Sequence, residues 1–368
     1  MKTRKPFWLS RIAAFALVLA VVAACDDSTG PAPTPLTPES AAETMNDVVG
    51  TFFVGNEAAT SLMYYGDFIG AALGGGVPLV PVEVGAVATG TWQRHLLRNV
   101  EPLIDVPANL PTEVLGVTFE WDEQLGEYVA SELTGAPANG VRFLLYAVNP
   151  ITGVPATPLN EIGYVDIIDD SDFPPTLDVS MIAVVDGETL ISVNATGLWG
   201  ETSATVSLTG YFSDGQDQLD FSMTATEAYN PVTQTGTYTI GFTLTLGTFS
   251  ASHTLTWVEA ETSTITLEVE LSDGSNDLLF LLDLELSPGG FDILAGSGIY
   301  FNDELVAIIS GTFDEETATI AITNAEGDPL TAAEIDALGE VFEIVEELSY
   351  FFEGLLEFTL ALVLGAVN

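Results

Sequence analysis

The chain has 368 residues, of which 53 are acidic and only seven basic, for a formal net charge of −46. Such a field repels phosphate backbones and anionic headgroups, which excludes nucleic-acid binding and leaves cations, basic partners and uncharged lipid tails. Hydrophobic residues make up 47% and charged residues 16%, enough apolar matter for a packed core and too little charge for global disorder.

Lys2, Arg4, Lys5 and Arg11 head the chain, followed by an apolar run from Ile12 to Ala24 and then the single cysteine, Cys25. The run is too short to span a bilayer as a helix and reads as the apolar stretch of a secretion signal, residues 1–24. Val22-Ala23-Ala24-Cys25 resembles the lipobox of bacterial lipoproteins: a branched apolar residue, two small residues, then the acylated cysteine. The resemblance implies cleavage before Cys25 and acylation of its sulfur and amine. It also implies a partner, the membrane, and a place in the bacterial cell envelope on the extracytoplasmic side. The outer membrane or cell surface is the expected site, with the inner membrane as the alternative. Two or more acyl chains anchor a protein stably without a transmembrane helix. The mature chain would keep three arginines against all 53 acidic residues, a formal charge of −50. Acylation would consume Cys25, so no disulfide, thiolate metal site or cysteine nucleophile is expected.

Residues 25–40 form the lipidated cysteine and a Pro/Thr-rich tether, DDSTGPAPTPLTPES, without periodic apolar positions. The rest, 41–368, reads as one domain. Over 41–73, Met45, Val48, Val49, Phe52, Phe53, Leu62, Met63, Phe68, Ile69, Ala72 and Leu73 recur at helical spacing, and Gly74-Gly75-Gly76 with Pro78 ends the segment. Trp92, Arg94, His95 and Arg98 form the only basic cluster of the mature chain. Its arginines either pair with local carboxylates or receive an anionic ligand group.

From about 116 to 323 the pattern alternates with a period of two. In 235–246 the even positions are Gly236, Tyr238, Ile240, Phe242, Leu244 and Leu246, while the odd ones are mostly threonine. In 263–271, Ile265, Leu267, Val269 and Leu271 oppose Thr264, Thr266, Glu268 and Glu270. Runs at 202–212, 217–226 and 277–286 behave alike. Each describes a strand with one apolar and one wet face. Asp-Gly pairs at 186–187, 214–215 and 273–274 predict tight hairpins and therefore antiparallel pairing. Ser213-Asp214-Gly215 with Leu219 and Phe221 is echoed by Ser272-Asp273-Gly274 with Leu278 and Phe280. Recurring turn chemistry explains this better than a fixed-period repeat.

The segment 331–366 turns helical again. Thr331 and Glu334 make a capping-box pattern, and Leu338, Phe342, Val345, Leu348 and Phe352 follow at helical spacing. The terminal FTLALVLGAV is too short to cross a membrane and is expected to bury against the sheet.

The expected fold is therefore mainly β, of the α+β class. A long antiparallel meander of ten to fourteen strands forms a curved sheet or half-open barrel, with the N-terminal helices and the C-terminal helix packed on its apolar face. This architecture, together with the lipobox, loosely resembles the half-barrel lipoproteins of the LolA/LolB and LppX kind. The resemblance implies carriage of a lipid or another apolar ligand.

Catalytic constellations are missing. His95 and His253 lack metal-ligand spacing and no G-x-S-x-G elbow is present, so no enzyme activity and no resident cofactor are expected. The first functional expectation is a non-enzymatic protein binding an apolar ligand such as an acyl chain, with Phe221, Tyr238, Phe242 and Phe280 lining the site. The second is a structural or surface-interaction module, calcium-stabilised through Asp169, Asp170 and Asp172. A membrane-spanning β-barrel comes third; the lipobox, the charge and the helical C-terminus speak against it.

Overall fold

The computed structural model describes residues 110–149, 155–172, 175–287, 290–313 and 318–331, with Ser61, Phe68, Ile69, Ile335 and Gly339. The strands in chain order are β1 (Thr118–Asp122), β2 (Glu127–Ser131), β3 (Gly140–Tyr146), β4 (Glu161–Asp169), β5 (Thr176–Val185) and β6 (Glu188–Trp199). They continue with β7 (Ser203–Ser213), β8 (Gln218–Asn230), β9 (Thr235–Leu246), β10 (Phe249–Glu259), β11 (Ser263–Ser272) and β12 (Asp277–Ser287). The last are β13 (Gly290–Ile293), β14 (Gly298–Phe301), β15 (Glu304–Phe313) and β16 (Ala318–Asn324).

All sixteen belong to one sheet, and from β3 to β12 each strand pairs antiparallel with the next. β13 and β14 both pair with β12 and with β15, so together they act as one interrupted strand. β2 and β16 are the two edges of the strand order, and no pairing joins them among the described residues. Sixteen strands exceed the ten to fourteen expected, because the four- and five-residue β1, β2, β13 and β14 are too short to show an alternating pattern. One contact also departs from the antiparallel expectation. β1 pairs parallel with β3 at Thr118↔Arg142 and Phe119↔Phe143, the connection running through β2 and the segment 132–139.

Alternation along each strand builds two unlike faces. One register row crosses the middle of the inner face as Phe280, Val269, His253, Phe242, Met223, Leu208, Ala195 and Val179, all buried. The outer face carries cross-strand polar pairs: Ser222 with Thr243 at 2.7 Å, Thr266 donating to Asp283 at 2.6 Å, and Asn194 donating to Asp178 at 3.1 Å. Such pairs add a few tenths of a kcal/mol each, roughly 0.2–1, and burial of the apolar face carries most of the stability. Glu268, Glu270 and Glu285 also stand exposed on the outer face. A membrane-spanning barrel needs an apolar outward band. The polarity here is reversed, and the third expectation is set aside on that ground.

The three Asp-Gly hairpins are of two kinds. Asp186-Gly187 is a two-residue turn with both residues at positive φ, 52° and 85°, as an Asp-Gly hairpin requires. The other two Asp-Gly pairs lie inside four-residue loops. The Asp214 carboxylate accepts the N–H groups of Gln216 and Asp217, both at 2.8 Å, and Asp273 accepts those of Ser275 and Asn276, both at 2.8 Å. Ser213 and Ser272 each accept the N–H of the glycine two residues on, at 3.1 Å. The sequence echo thus reflects one turn geometry used twice. The aspartate side chain substitutes for a backbone acceptor and removes the need for positive φ at Asp.

β3 differs from the other strands. Its sequence GVRFLLY is almost continuously apolar, and it is buried on both faces apart from Arg142. Phe143 stacks on Phe119 at 4.7 Å and meets Tyr128 edge-on at 5.0 Å. Tyr128 donates to the Leu144 carbonyl at 2.7 Å, and the Trp121 N–H reaches the Tyr146 hydroxyl at 3.4 Å.

The expected helices at 41–73 and 331–366 lie outside the described residues except at single positions. Ser61, Phe68 and Ile69 are helical. Ser61 donates to the Tyr146 carbonyl at 3.3 Å, and Phe68 packs edge-on against Trp121 at 4.8 Å. Ile335 is helical, and its N–H donates to the Thr331 carbonyl at 3.0 Å. No helix among the described residues is long and apolar enough to cross a membrane.

Gly311 shows how closely β15 and β16 are matched. It sits at φ +135°, and a Cβ there would run into the Thr319 carbonyl oxygen of β16. Gly311→Val is expected to destabilise the protein by at least about 1 kcal/mol, read as a lower urea midpoint at unchanged slope.

Candidate binding surface on the inner face

The alternation that makes the sheet also delivers the predicted ligand-lining residues to one face. Phe221, Phe242 and Phe280 point inward at 5%, 3% and 4% exposure, packed within the continuous core. The Phe221 ring tilts against Phe212 at 5.4 Å and covers Gly210, where a Cβ would stand 2.9 Å from it. Tyr238 shares the face but occupies its end, half-buried, with its ring 5.5 Å from that of Trp257. Trp199 lies on the same end, also half-buried, with its ring folded over Gly197. The inner face is thus most closely covered in its middle and more open where β6, β9 and β10 carry these aromatics.

Two carboxylates accompany the aromatics. Glu227 is opposite Tyr238 in the register, and Glu259 is opposite Gly236. The Tyr238 hydroxyl is held above its ordinary pKa, first by burial, then by the charges of Glu227 and Glu259 and its hydrogen bond to Glu227. Sequence reasoning missed Trp199, Trp257, Glu227 and Glu259 as a group. Their parity along β6, β8 and β10 was readable, but which residue stands beside which depends on register.

His253 takes the inward position between Val269 and Phe242, its ring 6.1 Å from that of Phe242. It is 3% exposed, and desolvation pushes its pKa down from 6.5 to about 4. This agrees with a structural role and leaves the imidazole neutral at physiological pH.

The acidic cluster at the end of β4 and in the turn after it is hydrogen-bonded within the chain. Asp169 accepts the Leu110 N–H at 2.7 Å and the Ser171 N–H at 3.0 Å, while Asp170 accepts from Asn139 at 2.5 Å. Asp172 bridges to Thr176 through its backbone. The Asp169 and Asp170 carboxylates serve separate partners, and no group of three His, Cys, Asp or Glu able to hold a metal occurs among the described residues. Asp166, from the same stretch, pairs instead with Arg142. Nε and Nη2 each donate at 2.7 Å to its two oxygens, and the guanidinium lies 3.6 Å from the Tyr164 ring centroid. The hydrogen bond to Asp166 raises the Arg142 pKa against the opposing effect of burial.

Cys25 and the cluster Arg94, His95 and Arg98 lie outside the described residues. No family model matches the chain, and no curated protein or solved structure matches it.

Proposed function

We propose that this is a lipid-anchored, extracytoplasmic protein of the bacterial cell envelope, without catalytic activity. Its sheet curls into a half-open barrel and binds an apolar ligand such as an acyl chain along its inner face. The observation that carries this reading is the inner face itself. Across β5–β12, away from the bulged β5–β6 hairpin end, its positions are apolar or glycine except for His253, Ser263, Glu227 and Glu259. A twisted open sheet rarely exceeds about ten strands without curling, and curling this one encloses an apolar lining. Half-buried Trp199, Tyr238 and Trp257 mark the end through which a chain would enter.

The deep burial of Phe221, Phe242 and Phe280 favours a second reading, a surface-interaction module whose core is closed by its own side chains. Titration of the full chain with a conjugated polyene fatty acid separates the two. Saturable energy transfer from tryptophan, weakened in Trp257→Phe, supports the binding reading. Absence of saturable transfer supports the surface module. Palmitate labelling in growing cells that disappears in Cys25→Ser tests the anchor, because Cys25 is the only cysteine in the chain.

A further inference from the structure

Four side chains of unlike chemistry meet at the more open end of the inner face. Glu227 on β8, Tyr238 on β9 and Trp257 on β10 occupy one register row. Glu259 lies two residues beyond Trp257 and so on the same face. Gly236 clears the space between the Tyr238 ring and Glu259. A Cβ there would stand 3.3 Å from the ring and 3.7 Å from the Glu259 side chain. The rings of Tyr238 and Trp257 are 5.5 Å apart and tilted by 31°, so they form a shallow angled wall. Glu227, Tyr238 and Trp257 are half-buried and Glu259 is exposed, which leaves the group reachable from solvent.

The charge around this group is one-sided. The only lysine or arginine among the described residues is Arg142, and its guanidinium is engaged by Asp166 on the far strands β3 and β4. Glu227 and Glu259 therefore have no lysine or arginine beside them among the described residues. A calcium ion takes six to eight oxygen ligands, of which two carboxylates supply at most four. An organic ammonium ion is satisfied differently, by ring faces that carry a negative quadrupole and by nearby carboxylates. The field of so acidic a chain also concentrates cations at its surface.

We propose that Glu227, Tyr238, Trp257 and Glu259 form a binding site for an organic ammonium cation. The site is independent of whether the inner face takes an acyl chain, and the probe below carries none.

The test is titration of the full chain with tetramethylammonium chloride, followed by tryptophan fluorescence and calorimetry. Sodium chloride and the uncharged isostere 3,3-dimethylbutan-1-ol serve as controls. Saturable binding is expected for tetramethylammonium alone. Trp257→Leu should weaken it about tenfold, the size of a partly desolvated cation–π contact. Glu227→Gln combined with Glu259→Gln should weaken it at least as much, while Glu268→Gln on the opposite face should leave it unchanged. Trp257→Phe keeps an aromatic ring and should retain most of the affinity, which covers the case in which the leucine variant does not fold. No saturable binding, an equal response to the uncharged isostere, or an affinity indifferent to the Glu227 and Glu259 substitutions would overturn the site.

Discussion

Arg142→Met is expected to destabilise the protein by about 3 kcal/mol, in the range observed when one partner of a buried ion pair is removed. Arg142 and Asp166 are 19% and 13% exposed at their side chains, so neither charge is well solvated. Methionine preserves most of the aliphatic stem and isolates the loss of the guanidinium. Asp166 would lose both of its 2.7 Å donors, and the Tyr164 ring would lose the cation stacked on it. The penalty is mainly that of leaving a desolvated carboxylate alone. Arg142→Met with Asp166→Leu should therefore recover much of the stability, since replacing both partners by apolar groups is often close to neutral. Urea unfolding of the two single variants and the double variant reads this cycle. A double variant as unstable as the sum of the singles would contradict the account.

The second large effect is acid lability through His253. Its folded pKa, about 4, lies below the unfolded value of 6.5, so the unfolded chain takes up the proton first as pH falls. Its contribution to stability is complete above pH 6.5 and is lost progressively between 6.5 and about 4. Over that window the loss reaches about 3 kcal/mol, at 1.36 kcal/mol per pH unit. Protonation of carboxylates relieves self-repulsion in the same range, so absolute stability curves mix the two effects. The difference between the native chain and His253→Leu isolates the imidazole. The leucine variant should be the more acid-resistant of the two, with the gap opening below pH 6.5 and levelling near pH 4. A gap that stays constant with pH would show that His253 does not titrate as an isolated buried group.

Much of the sheet was legible because each half-buried strand repeats its face every two residues. The run at 235–246 is β9, and 263–271 is β11 less one residue. The same parity placed Phe221, Phe242 and Phe280 on one side before any register was known. Legibility failed where the determining contact is distant in sequence. Arg142 and Asp166 are 24 residues apart, and nothing local marks them as partners. The parallel contact of β1 with β3 likewise depends on how the β1–β2 hairpin folds back. At Asp214 and Asp273 the error lay in reading Asp-Gly as a two-residue turn. The carboxylates close longer loops by accepting backbone N–H groups, an option that the dipeptide alone does not reveal. For the aspartates at 169, 170 and 172 the sequence shows proximity but not partners: Asp169 accepts the Leu110 N–H, Asp170 accepts from Asn139, and the Asp172 backbone bridges to Thr176.

An apolar ligand held on the inner face, as proposed, would accompany the protein through purification. The most direct test is native mass spectrometry of the full chain purified from a bacterial envelope, with lipid extraction of the same sample. A copurified acyl-bearing species is expected, bound non-covalently and in addition to any acyl groups on Cys25, and depleted in Trp257→Leu. A protein mass explained by the polypeptide and its covalent lipid alone, unchanged by added fatty acid, would contradict it and leave a core filled by its own side chains.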